Sequence, residues 1–192
     1  LYCNYSGHRP YSVVLLPGAG SNRRYYRLGP DPSLIGVAGT SRNENEAFIY
    51  LSKHFSEKGL PVPRVYGHSD DMMTYIQDDL GSSSLFDVIA PGRLNGEWND
   101  GIVALLEKAV RVLPDFQWKG AEELDFSRCY PVDSMNKRAV MWDLNYFKYY
   151  FLKTSGVEFD EDKLEDDFDR LASYIVSLDT GTFMYRDFQS RN

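Results

Sequence analysis

The chain reads as an α+β protein with a β-rich part followed by an α-rich part, and three observations predict this. Over residues 11–38 and 64–77, short runs of Val, Ile, Leu and Tyr alternate with Gly, Pro, Ser and Asp, the punctuation of strands and turns. Beyond residue 80, apolar residues recur instead at spacings of three and four, the period of amphipathic helices. Between the two, Asp78-Asp79-Leu80-Gly81 is short and polar and ends in glycine, which predicts a boundary, with one lobe over 1–79 and another over 80–192.

Each element has a local reason. Residues 1–8 suit a short aromatic helix, and the β-branched run 11–16 reads as a strand that ends at Pro17. The small residues 17–22 predict a tight turn into a second strand over 23–28, where aromatic and polar side chains alternate. A third strand is expected over 33–38. Ser41 or Asn43 can then cap a helix over 44–58, which Gly59 and Pro61 terminate and whose apolar face is Ala47, Phe48, Leu51 and Phe55. Runs 64–68 and 72–77 read as two more strands about the turn-forming Ser69-Asp70-Asp71. Helices follow over 84–89, 99–113, 134–154 and 161–177, and the apolar stretch 181–185 reads as a short strand. The aromatic residues Trp142, Tyr146, Phe147, Tyr149, Tyr150 and Phe151 are expected to pack the core and rim of the second lobe, and the acidic run 158–169 to form a solvated helix face.

Composition removes several function classes. With 192 residues, 43% hydrophobic and 26% charged, the chain can bury a sizeable core. A net charge of −7 without any dense basic run argues against nucleic acid as a partner. The longest apolar run, 102–106, is far below the roughly 20 residues of a membrane span, so no membrane association is expected. No secretory pattern opens the chain, and a cytoplasmic location is expected. Cys3 and Cys129 stand isolated, as a reducing compartment allows, and His8, His54 and His68 are scattered without ligand spacing.

The chemistry concentrates in Tyr185-Arg186-Asp187-Phe188-Gln189-Ser190-Arg191-Asn192. An Asp and an Asn five apart behind an Arg have the spacing of a kinase-type catalytic loop, where the Asp accepts the proton of an attacking hydroxyl and the Asn holds nucleotide-bound Mg²⁺. Far upstream, the glycines of Pro17-Gly18-Ala19-Gly20-Ser21-Asn22 would let backbone amides approach phosphate oxygens with no side chain in the way.

Taken together, the string from Leu16 through Arg23-Arg24-Tyr25-Tyr26-Arg27-Leu28, the string Tyr75-Ile76-Gln77-Asp78-Asp79-Leu80-Gly81 and the terminal motif resemble the aminoglycoside and choline phosphotransferase family. Within it they look most similar to bacterial kinases of the anomeric hydroxyl of N-acetylmuramate or N-acetylglucosamine. The resemblance implies a bilobal, protein-kinase-like fold, ATP and Mg²⁺, and transfer of the γ-phosphoryl group to a hydroxyl of a small molecule, an amino sugar in the first instance. It implies Asp187 as base, Asn192 as metal ligand, Gly18, Ala19, Gly20, Ser21 and Asn22 as phosphate loop, and Gln77, Asp78, Asp79 and Leu80 as the hinge facing adenine. Asp143 and Arg191 are candidate acceptor contacts.

Three departures bear on this expectation. Tyr185 stands where many kinases have His, keeping an aromatic body for packing. The third strand lacks the Lys that pairs the α- and β-phosphates, and Arg23, Arg24 and Arg42 are the nearest replacements. The second metal-binding aspartate of such kinases would follow Asn192, so residues 1–192 alone are expected to turn over poorly. A cationic acceptor such as an aminoglycoside or choline is the alternative substrate, and a non-catalytic pseudokinase or binding module the alternative from another class.

Overall fold

In a computed structural model of the chain, residues 1–18, 22–178 and 181–191 are described. They fall into two compact units, Leu1–Leu124 with Phe183–Asn192, and Asp125–Thr182. The architecture is mixed α and β, built on a five-stranded antiparallel sheet.

The sheet uses β1 (Ser12–Leu15), β2 (Arg24–Gly29), β3 (Leu34–Ala38), β4 (Val65–His68) and β5 (Thr74–Asp78) in the order β1-β2-β3-β5-β4. All five strands lie where the apolar runs place them. Register sets two faces: Tyr25 pairs with Val37, and Val37 with Tyr75, so these side chains project to one side, while Leu34 and Ile76 project to the other. The first face is covered by α2 (Arg42–Glu57), whose Phe48 and Ile49 pack on Ile35, Val37 and Tyr75. The second receives Tyr2 of α1 (Tyr2–Ser6), which packs with Leu34, Ile76 and Leu28. Helix α2 starts where Ser41 accepts from the Glu44 N–H. The backbone N–H of Gly39 donates to Met73 O at 2.9 Å, and the buried Asn45 donates from Nδ2 to Met72 O at 2.8 Å, closing the β3-to-α2 link over the β4–β5 turn.

Beyond the sheet, α3 (Leu85–Val88) opens on a reciprocal capping box between Ser84 and Asp87. A further short helix that periodicity did not reveal, α4 (Ala90–Asn95), has Pro91 in its first turn and ends at Gly96 in the left-handed region, φ 74°. Helix α5 (Asp100–Gln117) is capped by Asn99 and passes through Pro114, one turn beyond the expected stop. Its end buries Phe116 against Phe55 of α2, with ring centroids 5.3 Å apart, in a cluster with Leu60.

Residues 181–185 differ from expectation. They form no strand: the Phe183 N–H donates to Gln117 O at the end of α5, 2.9 Å away, and side-chain packing holds the stretch where a ladder would otherwise do so.

The second unit contains a single 3₁₀ turn (Phe126–Arg128), α6 (Lys137–Phe147), a π-helical turn (Lys148–Leu152) and α7 (Glu161–Val176) among its described residues. Ala139 and Val140 of α6 and Phe168 and Ala172 of α7 are buried. The buried Lys148 reaches two carboxylates of α7, Glu161 at 2.5 Å and Glu165 at 2.6 Å. The aromatic side chains from Trp142 to Phe151 are a correction: all six are exposed, Tyr150 by 70%, because the buried positions of α6 and α7 are taken by Ala139, Val140, Phe168 and Ala172. Among the described residues no helix is long and apolar enough to cross a membrane.

Candidate active site

The expected catalytic string leaves the first unit's core through a ladder of rings. Phe183 packs edge-on to Phe55 at 4.9 Å, Tyr185 edge-on to Phe116 at 5.3 Å, and Phe188 edge-on to Tyr185 at 5.4 Å. Phe55 and Phe116 are 5% and 4% exposed, so these contacts root the loop in close-packed material. Tyr185 therefore does the packing that an aromatic residue before Arg-Asp was expected to do. Asp187, between Tyr185 and Phe188 in this anchorage, is exposed and has φ 51°, in the left-handed region. Asp and Asn are the residues, after glycine, that tolerate this conformation best. Past it, Ser190 O accepts from the Phe86 N–H of α3 at 2.9 Å, and the Arg191 guanidinium lies over the Phe86 ring, 4.2 Å from its centre. The string is thus held at both ends, and its second anchor is the helix that directly follows the expected hinge.

At that hinge the four expected residues do different things. Gln77 lies on the α2-covered face of β5, and its Oε1 is buried with no hydrogen-bond partner among the described residues. An orphaned acceptor there suits an amino donor such as adenine's exocyclic amine. Asp78 is occupied locally, accepting from Arg64 N–H at 2.8 Å and from Tyr66 O–H at 2.6 Å, which pushes the Tyr66 phenol up to about 12. Asp79 accepts from Arg27 Nε at 2.7 Å and Nη2 at 3.0 Å, from Ser33 Oγ at 2.5 Å and from the Gly81 N–H at 3.0 Å. Burial opposes its ionisation, but these donors outweigh burial and hold its carboxyl below the usual range. Asp79 is therefore a clamp between β2 and the segment that follows β5. Leu80 is 74% exposed, and its side chain projects into solvent.

Of the expected phosphate loop, Ala19, Gly20 and Ser21 lie outside the described residues. Gly18 does not have a left-handed φ, and a Cβ added there would meet nothing within 4 Å, so glycine leaves open space beside the strand end. Asn22 is exposed. Asn192, the expected metal ligand, also lies outside the described residues, and among the described ones no group of three His, Cys, Asp or Glu side chains is gathered. Asp143 is exposed on α6 of the second unit.

Of the three arginines considered as a substitute cation, one is built in. Arg23, just before β2, extends under the α2-covered face, where Nη2 lies 3.0 Å from Glu44 Oε1 and the guanidinium carbon 5.4 Å from the centre of the Phe48 ring. Its side chain is 13% exposed. Arg42 makes an exposed pair with Glu46 one turn on, and Arg24 is exposed. Sequence reading missed Glu44 altogether; its signal was an acid in the first turn of a Ser-capped helix.

No protein-family profile matches the chain, and no curated protein sequence matches it.

Proposed function

We propose that the chain is the nucleotide-binding and catalytic-loop portion of a small-molecule kinase, with the Mg²⁺ complex of ATP as one substrate and a hydroxyl compound, first of all an amino sugar, as the other. One observation carries this reading. Asp187 is presented on an exposed left-handed turn, rooted on one side in the Phe55–Phe116 cluster and on the other in α3 beside the hinge. A strained carboxylate that packing over-determines on both sides is what a positioned base requires. Support comes from the antiparallel sheet, whose β1 and β2 are joined by a glycine-containing connection in sequence, and from α2 between β3 and β4, which agree with a protein-kinase-like bilobal fold.

In the proposed reaction the acceptor hydroxyl hydrogen-bonds to the Asp187 carboxylate. As the hydroxyl oxygen attacks the γ-phosphorus, its proton passes to Asp187, the bond from the γ-phosphorus to the β,γ-bridging oxygen breaks, and ADP leaves with that electron pair. Mg²⁺ on the nucleotide neutralises phosphate charge, and Asn192 is the residue of this chain proposed to meet it.

The test is Mg²⁺-dependent ADP release with N-acetylmuramate, N-acetylglucosamine, choline and aminoglycosides, alongside Asp187→Asn. Release with one acceptor, lost in the variant, is expected; equal release from wild type and variant would refute the role. The second reading, a nucleotide-binding module without turnover, is favoured by the apolar Val37, 2% exposed, on the strand where kinases carry Lys. Nucleotide binding with no ADP release against any acceptor would select it.

A further inference from the structure

We infer that the cation missing from β3 is supplied by Arg23, held by Glu44, and that this pair receives the phosphates of the bound nucleotide. The inference rests on the kinase reading. Phosphoryl transfer needs a fixed positive charge at the α- and β-phosphates, and in kinases a β3 Lys provides it while a helix carboxylate orients it. Here β3 is Leu-Ile-Gly-Val-Ala, with Val37 buried, and cannot provide it.

Strand alternation moves the task to the neighbouring strand. Tyr25 is the cross-strand partner of Val37, and Arg23 lies two residues before Tyr25, on the same face, next to the β1-to-β2 turn. From there its guanidinium spans to Glu44 in the first turn of α2, at 3.0 Å from the carboxylate and 3.4 Å from the Glu44 carbonyl oxygen. It is braced by the Phe48 ring, and Phe48 is itself stacked on Tyr75 at 5.2 Å.

A surface arginine would not be built this way. Side-chain entropy would leave it mobile, whereas this one is fixed by a carboxylate, a carbonyl and a ring beneath a sheet. Glu44 is 37% exposed and Arg23 13%, so the pair extends from the packed face toward solvent. A guanidinium presents its donors in a planar fork, the geometry that matches phosphate oxygens.

The test uses the full chain and measures affinities for ATP and for adenosine, because their ratio isolates what the phosphates contribute. Arg23→Met is expected to weaken ATP by about 10- to 100-fold, the worth of a charge-assisted contact, with adenosine unchanged within about twofold. Arg23→Lys is expected to recover part of the loss and Glu44→Gln to lose a smaller factor, while Lys53→Met on the exposed side of α2 leaves the ratio as in wild type. Thermal melts accompany each variant; if Arg23→Met does not fold, Glu44→Gln and Arg23→Lys carry the same ratio test. A wild type that prefers ATP to adenosine and a folded Arg23 variant with the same preference would overturn the inference and leave the kinase reading standing. A wild type without preference for ATP would overturn both.

Discussion

Asp79→Ala removes the acceptor of four hydrogen bonds, two of them from the Arg27 guanidinium at 2.7 and 3.0 Å. The Asp79 side chain is 9% exposed and that of Arg27 31%, so the pair is neither a solvated surface bridge nor a dry one. Fully exposed pairs are worth about 0.2–1 kcal/mol, and removing one partner of a buried pair costs about 3–5 kcal/mol. Arg27 keeps the Gly81 carbonyl at 2.9 Å and regains water, while Ser33 Oγ and the Gly81 N–H lose their shared acceptor. The intermediate value, about 3 kcal/mol, is therefore expected for Asp79→Ala, and about 2 kcal/mol for Arg27→Ala. Because the two residues share contacts, the double variant should fall short of the sum by about 1–2 kcal/mol. Urea unfolding of the four proteins measures the cycle. The depressed carboxyl adds a sign: Asp79 contributes its full stabilisation above about pH 3.9, the unfolded value, and loses it as pH falls through the folded one, so Asp79→Ala should flatten the acid limb. An Asp79→Ala protein within about 0.5 kcal/mol of wild type, or strict additivity with Arg27→Ala, would refute the clamp.

With the active acceptor, Asp187→Asn should retain the fold, since Asn also tolerates a φ of 51°, and lose about 10²–10⁴ in kcat at unchanged ATP affinity. Phe116→Ala opens a void beneath Phe55 and Tyr185 and should cost about 3–5 kcal/mol by denaturant titration. Gly39→Ala would drive a Cβ into the buried Asn45 amide, and a loss of about 1–3 kcal/mol should be seen by the same method. In the second unit, hydrogen bonds from Lys148 and then Lys153 hold the Glu161 carboxyl below its usual value. Its contribution is present above about pH 4.3 and disappears as pH falls through the lowered value, and Glu161→Gln should remove that part of the acid transition seen by circular dichroism.

The strands were legible because each apolar run is short and bracketed by Gly, Pro or Asp, and the helix 42–57 because Ser41 caps it and Phe48 and Phe55 recur at helical spacing. Two kinds of information were not legible. Residues 181–185 have strand composition, but the Phe183 N–H bonds to Gln117 O at the end of α5, a tertiary partner that no local pattern encodes. The helix boundary at Pro114 was read too early because a proline breaks one hydrogen bond without unwinding a helix whose Phe116 is anchored in the core. At the candidate site, spacing alone singles out Asp187 as the candidate base, and its left-handed backbone could not be read from it. Nor could the use of Asp79 as a clamp, since its partner Arg27 lies on a strand distant in sequence.

The return of residues 183–191 to the first unit makes the order of synthesis matter. The sheet and α2 can form early, but Phe55 and Phe116 acquire Phe183 and Tyr185 only after the whole second unit has been made. Such late, long-range closure is slow relative to local structure, and until it happens the aromatic cluster is open to solvent. A nascent or heat-softened chain would thus lose its candidate catalytic turn first and expose a greasy socket as it does so. Quality control that recognises exposed aromatic surface would thereby discard molecules in which residues 183–191 have not docked.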